Sequence, residues 1–358
     1  MVKSYVVMSL SEIRAGFLRW VKRYYRALRV SISKRISGVQ FEQDWKPWMP
    51  NWVGDVLLTY KLFELKKRNP NRLIVYITPD TEMSGLADRL RTMRTAYVFA
   101  VENNLEFYIY HNNGFLLEDY FEPNEIDWRI RKEDIGKGLN RVEFRFLYDK
   151  LEKISTHNKE LHLHKAMRNI NEGFLPDCLR SKYSDASVYR KLFKLSTKLH
   201  DMVDGIMRRH GIVENEYVVV HARFTNFFEK VEMHGMVTST AQERALMLKR
   251  LTKTLVKIHD QTGMPIVLFS DSNTFLQYPH EEFVSVLPGS VSHLSNSTES
   301  VNYIDKTFVD LVVMSRGARI FSLRGANMYG GGFSLDASFL GNKPFIRFDV
   351  ADDDDKES

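Results

Sequence analysis

Apolar and polar positions alternate along this chain with two different periods. From Ser11 to about Ile36, Ile13, Phe17, Trp20, Val21, Tyr24 and Leu28 recur mostly three or four residues apart, with Arg and Lys between them. That spacing puts an apolar stripe on one face of a helix. A break follows at 37–54, where Gly38, Pro47, Pro50 and Gly54 mark a linker. Beyond it, short apolar runs alternate with helical patterns. A helix is expected over Val56–Lys67, a strand over Leu73–Ile77, a helix over Gly85–Asn103 and a strand over Leu105–Tyr110. Residues 112–205 are less regular, and a long helix is expected over about Ser187–His210. A second series then begins, with strands over Tyr217–Val220, Ile266–Phe269, Phe283–Val286, Arg319–Ser322 and Pro344–Arg347. Helices over Gln242–Gln261 and Asp305–Ser315 separate them. Strands separated by helices are the pattern of parallel sheets, and the second series fits a Rossmann-like domain.

Composition narrows the class. The 358 residues suffice for two cores, and 44% apolar with 27% charged residues is ordinary for a soluble protein. The single cysteine, Cys178, excludes an intramolecular disulfide and fits a reducing compartment. No apolar run approaches the length of a membrane-spanning helix, and the N-terminus lacks the apolar core of a signal peptide. The net charge of +6 is uneven: residues 1–40 hold nine Lys or Arg against Glu12 alone, leaving the rest of the chain nearly neutral. A basic helix carrying Trp and Tyr suits an anionic membrane surface, and a helix packed on its own domain is the plainer reading. A nucleic-acid enzyme would place its basicity in the body of the chain. The expected location is the cytoplasm, peripheral on the membrane's inner face. The acidic run at Asp352–Ser358 resembles a protease-tag sequence and is set aside.

Four short motifs carry candidate chemistry. Gly85-Leu86-Ala87-Asp88-Arg89-Leu90-Arg91 follows a strand and Thr78-Pro79-Asp80, placing backbone N–H groups at a helix start where an anion can bind. His221-Ala222-Arg223 ends the strand after Tyr217, and an Arg at that edge can clamp a diphosphate with two parallel hydrogen bonds. Ser270-Asp271-Ser272 follows the next strand, and Asp271 can accept two N–H bonds from a guanine edge or cap the helix after it. Ile320-Phe321-Ser322 is followed by Gly330-Gly331-Gly332-Phe333-Ser334 at a helix start, where backbone and Ser334 can meet a phosphate. Each motif alone has an ordinary structural reading; three of them at successive strand ends of one domain is what a ligand site would produce.

These motifs, in this order, resemble those of the fucosyltransferase superfamily. The Gly85–Arg91 run with Leu117–Pro123 and Asp127-Trp128 is similar to the family's N-terminal block, His221-Ala222-Arg223 to its His-x-Arg, and Ser270-Asp271 to its Ser-Asp step. Phe333-Ser334 with Ala337 is similar to its Phe-Ser-x-x-Ala helix. The likeness covers about 78–130 and 215–345. It implies an α/β, GT-B fold, two Rossmann-like domains facing a central cleft, here at 46–210 and 211–350 after an N-terminal helix and linker at 1–45, with an acidic tail at 351–358. It also implies transfer from a nucleotide-diphosphate sugar, GDP-fucose first, to a glycan or surface-polysaccharide hydroxyl, and an inverting transfer is expected. The spaced Asp-x-Asp of metal-dependent transferases occurs only in the tail set aside, so no metal or other cofactor is expected. Another GDP- or UDP-sugar is the alternative, as is a non-catalytic peripheral membrane or nucleic-acid binding protein. By the resemblance, Arg223 holds the departing diphosphate, His221 and Asp271 contact the base, and Ser334 contacts the phosphates. Gly85, Asp88, Arg89, Ser322 and Phe333 complete the expected donor site. The family's acid three residues after the Arg is Asn226 here, so the acceptor-side carboxylate is sought at Glu229 or Glu232. His157, His162 and His164 lack the partners of a zinc site and are expected on the solvated surface.

Overall fold

A computed structural model of the chain describes residues 71–78, 85–135, 142–148, 160–167, 182–229, 239–291, 301–325, 328 and 330–350; of 142–148, 164–167 and 301–302 it describes the backbone only. These residues all belong to one compact unit. The expected basic helix over 11–36, the linker at 37–54, the helix over Val56–Lys67, the tail, and Glu232 and His157 lie outside them.

The unit is α/β with two parallel sheets. The first is built on β1 (Arg72–Ile77), with β2 (Glu106–His111) on one side, β5 (Glu160–Met167) on the other and β4 (Val142–Tyr148) outermost. β1 reads Arg-Leu-Ile-Val-Tyr-Ile with almost every residue buried, because a central parallel strand is covered on both faces. The crossover from β1 to β2 is α1 (Leu86–Glu102). β3 (Phe121–Pro123) pairs antiparallel with β6 (Phe193–Leu195) in a short ribbon beside this sheet.

That ribbon corrects the single long helix expected near 187–210. The chain forms α2 (Asp185–Leu192), then β6, then α3 (Thr197–Arg209). Helical periodicity loses here to burial. Phe193 packs its ring 5.1 Å from Phe121 and 5.9 Å from Trp128, and Trp128 Nε1 donates to the Leu192 carbonyl at 2.7 Å, satisfying an end of α2. Ser196 then caps α3 by accepting from the Leu199 amide at 3.2 Å.

His162 also departs from expectation. It is fully buried in β5, with Nε2 2.7 Å from Glu160 Oε1, and Arg72 Nε donates to the same carboxylate at 2.5 Å. Strand alternation turns it into the sheet's covered face, which a reading based on metal spacing does not test.

The second sheet has β7 (Val218–Ala222) at its centre. β8 (Ile266–Ser270) and β9 (Val284–Val286) extend it one way, β10 (Arg319–Arg324) and β11 (Phe345–Asp349) the other. The order β9-β8-β7-β10-β11 is the Rossmann order 3-2-1-4-5. The connecting helices are α4 (Ala241–Thr262), the short α5 (Asn273–Leu276), α6 (Val301–Arg316) and α7 (Gly332–Gly341). Thr240 and Glu243 form a capping box at the start of α4, and Gly263 ends it at φ +62°, a left-handed conformation that glycine adopts without strain.

The two faces of β7 feed two cores. Val218 and Val220 pack with Leu251 and Leu268, while Val219 joins a larger core with Phe269 and Ile320. That larger core continues through Leu90 and Phe99 of α1 to Leu73 and Val75 of β1. A buried ion network reinforces the junction. Arg94 of α1 pairs with Asp185 of α2 and, at 3.0 Å, with Asp336 of α7, and Tyr189 donates to Asp336 at 2.8 Å. The Arg94 guanidinium also lies 4.6 Å from the centre of the Phe339 ring. Burial pushes the Asp336 carboxyl up to about 6 even with Arg94 beside it. Among the described residues no helix is long and apolar enough to cross a membrane.

Candidate functional site

The strand order of the second sheet reverses between β7 and β10. Crossovers leave these neighbouring strands toward opposite faces, so their carboxyl ends open a crevice, the usual ligand site of such sheets. The register places Ser322 of β10 beside His221 of β7. Arg223 follows β7, Asp271 follows β8, and α7 follows β10. The residues singled out in the second half of the chain therefore converge on one edge.

His221 is buried and its imidazole is held down at about 3, by desolvation first and by the neighbouring Arg223 second. The ring is thus neutral at physiological pH. Its Nδ1 lies 3.0 Å from Ser334 Oγ, and Ser334 Oγ donates to the Gly331 carbonyl at 3.2 Å. That arrangement makes Nδ1–H the donor to Ser334 and leaves Nε2 as the ring's remaining hydrogen-bonding atom. Ser334 is fully buried with its hydroxyl already committed, so what it can offer an anion is its backbone N–H. The loop passes so close to the imidazole that a Cβ on Gly331 would sit 2.5 Å from His221 Cε1. Phe333 lies 6.3 Å from the same ring, centre to centre. Ser322 is 1% exposed, and its hydroxyl has no hydrogen-bond partner among the described residues.

The start of α7 has Gly331 as its cap residue, with no side chain bonded to its first amides. Gly85 does the same for α1, at φ −67°, ψ 168°. The two first turns touch: a Cβ on Gly332 would lie 3.6 Å from Ala87 Cβ. Two helix N-termini, each with unsatisfied N–H groups and the positive end of its dipole, therefore sit side by side. Asp88 in the first turn of α1 is paired with Arg91. Arg89 turns inward. It is 2% exposed, donates to the Asn113 carbonyl at 3.0 Å, and lies 3.2 Å from His111 Nε2. Its neighbour His111 is held at about 3, by burial first and Arg89 second. Gly85 thus stands near the crevice while Arg89 supports the first sheet's interior.

Arg223 has a side chain 34% exposed, with Nε 4.0 Å from Asp271 Oδ2. Asp271 uses its oxygens on the backbone. Oδ1 accepts from the Phe224 amide and Oδ2 from the Thr225 amide, both at 2.8 Å. Burial raises its carboxyl above the usual range, against those two bonds. The cap of α5 is Ser272, which accepts from the Phe275 amide at 3.1 Å, and not Asp271. Glu229 accepts from Ser272 Oγ at 2.8 Å and from the Thr274 amide at 3.1 Å, so both its oxygens hold the start of α5. Asn226 is buried in the same loop. The carboxylate contacts of Asp271 and Glu229 join residues 43 to 47 positions apart, and no local motif announces them.

No protein-family model matches this chain, and no curated protein matches it in sequence. Solved structures do. The fold is similar to that of an α-1,6-fucosyltransferase. NodZ α-1,6-fucosyltransferase co-crystallized with GDP matches over 79% of this chain and 96% of its own, with a TM-score of 0.50 and 15% identity. Fucosyltransferase NodZ from Bradyrhizobium matches over 77% and 94%, with a TM-score of 0.48 and 14% identity. A mutant of Arabidopsis thaliana FUT1 in complex with GDP matches over 90% and 77%, with a TM-score of 0.49 and 11% identity. The α/β, GT-B-like class expected from the motifs is therefore the class observed.

Proposed function

We propose that this chain is an inverting, metal-independent glycosyltransferase that takes a sugar from a nucleoside diphosphate, GDP-fucose first among donors, and gives it to a glycan or polysaccharide hydroxyl. The observation that carries this reading is the switch-point crevice, where Arg223, a neutral His221 and two glycine-started helix N-termini share one edge. Such a site meets a diphosphate with a guanidinium and several fixed N–H dipoles. The similarity of fold to a GDP-bound fucosyltransferase favours guanine over other bases.

In the proposed step the acceptor oxygen attacks the anomeric carbon from the face opposite the nucleotide. The bond to the β-phosphate oxygen breaks, and the electron pair leaves on the diphosphate. Arg223 and the amides at the start of α7 stabilise that growing charge, in the place a divalent cation takes in other transferases. The acceptor proton needs a base. Of the two acids named for it, Glu229 is committed to the start of α5, so Glu232 is carried forward. The basic segment 11–36 would hold the enzyme at an anionic membrane surface, and vesicle flotation of full-length and 1–36-deleted protein at low and high salt tests that part.

The transfer itself is tested by incubating the protein with GDP-fucose, an oligosaccharide acceptor and excess EDTA. Release of GDP with formation of a fucosylated product is expected. Turnover abolished by EDTA and restored by manganese or magnesium would refute the metal-independent reading.

A further inference from the structure

The loops after β7 and β8 exchange carboxylates. Asp271, from the β8 loop, takes the Phe224 and Thr225 amides of the β7 loop, while Glu229, from the β7 loop, takes Ser272 Oγ and the Thr274 amide of the β8 loop. Beneath this clasp lies an aromatic floor. Phe224 meets Phe228 edge-on at 4.8 Å and Phe275 at 5.3 Å, and all three are buried. One residue of the clasp is held in an unfavourable conformation: Thr225 has φ +57°, a left-handed geometry that a β-branched residue seldom adopts. Its amide is one of the two that Asp271 holds, and its hydroxyl donates to the Phe224 carbonyl at 2.6 Å. Arg223 is the residue immediately before this fixed turn.

We propose that Asp271 is a positioning residue for Arg223: by holding the Phe224 and Thr225 amides it keeps the turn left-handed at Thr225 and so fixes the direction in which the guanidinium leaves the sheet edge. This inference deepens the proposed function and rests on it. Both oxygens of Asp271 accept from the backbone, and that is the role assigned to it here. An asparagine there keeps size and one acceptor but points an N–H₂ at an amide N–H, so one of the two bonds is lost. The guanidinium then samples several directions. Preorganisation of charge at the departing oxygen suffers more than nucleotide affinity does.

The test is a cycle of turnover measurements with GDP-fucose on the full chain: wild type, Asp271→Asn, Arg223→Ala, the double variant, and Asp271→Asn with Thr225→Gly. Asp271→Asn should lower kcat about tenfold or more with a smaller change in KM for the donor. In the Arg223→Ala background the same substitution should cost about twofold or less, because the group it positions is gone. Thr225→Gly should restore much of the lost kcat, since glycine holds φ near +57° without the clasp. Equal cost of Asp271→Asn in both backgrounds, or no rescue by glycine, overturns the inference. If Asp271→Asn yields no folded protein, Asp271→Ser, which keeps an acceptor oxygen, runs through the same cycle with the same criteria. Wild type that neither binds GDP nor releases it from GDP-fucose, or Arg223→Ala that turns over like wild type, refutes the proposed function itself and takes this inference with it.

Discussion

Arg223 is placed to meet an anion at the crevice. It is the cation at the end of β7, partly exposed and next to a turn whose backbone is pinned. Arg223→Ala should lower transfer by about 100-fold or more, or about 2.7 kcal/mol of transition-state stabilisation, measured as kcat at saturating donor. Arg223→Lys should recover little of that, because an ammonium cannot form the two parallel bonds of a guanidinium. Near-normal kcat in the alanine variant would remove the residue from the mechanism. The residues at strand ends were readable from sequence, since an apolar run followed by His-Ala-Arg or Ser-Asp locates a sheet edge without knowledge of neighbours. Their partners were not readable. That Ser334 spends its hydroxyl on His221, or Glu229 its carboxylate on α5, depends on contacts across 113 and 43 positions.

At the scale of elements, α7 is the piece on which the account turns, because it carries a helix N-terminus to the crevice and locks the first sheet's helices to the second sheet. Gly331→Ala isolates the first role. The added methyl would meet His221 Cε1 at 2.5 Å, forcing the ring or the helix start to move. The variant should stay folded by circular dichroism yet lose at least about tenfold in affinity for GDP, read by calorimetry. Wild-type affinity would show that the close approach of loop and imidazole is irrelevant to binding. Arg94 isolates the second role. Arg94→Met should destabilise the fold by about 3–5 kcal/mol, since it leaves Asp185 and Asp336 buried without their shared cation. Chemical denaturation measures this, and a loss under about 1 kcal/mol would mean that the network is dispensable. Helix α1 and its partner strands were legible from periodicity. The break between α2 and α3 was not, because the aromatic pocket that captures Phe193 is assembled from Phe121 and Trp128, far back in the chain.

For the whole molecule, two α/β units with parallel strands follow from alternating apolar runs and helices, while the order of the strands comes from the structure alone. The strands β4 and β5 escaped that reading because their sequences mix charge and, in β5, histidine with apolar residues; β5 is a sheet strand by its pairing with β1 and β4. Four histidines, three buried and His280 half-buried, leave a signature in stability. His111 and His221 are held at about 3, and His162 and His280 are also lowered, each by burial first. Below about pH 6.5 the unfolded chain binds protons at these rings and the folded chain does not, so stability is present above that pH and falls as pH drops. Asp336 works in the opposite sense as its carboxyl takes up a proton near 6, and burial raises Asp271 and Asp310 in the same direction, so the histidines are expected to set the slope only down to about pH 6. The melting temperature should therefore decline from pH 7.5 to 6.0, and a flat or rising profile would mean that these rings are not neutral and buried.

In the proposed function, the crevice between β7 and β10 binds a nucleoside diphosphate through Arg223 and the start of α7. The most direct test is a thermal-shift and calorimetric panel of GDP, UDP, CDP and CMP on wild type and Arg223→Ala. Melting temperature should rise with GDP above the other nucleotides, in the presence of EDTA, and the rise should be lost in the Arg223→Ala protein while that protein remains folded. No shift with any nucleotide, or an equal shift with and without Arg223, would contradict it.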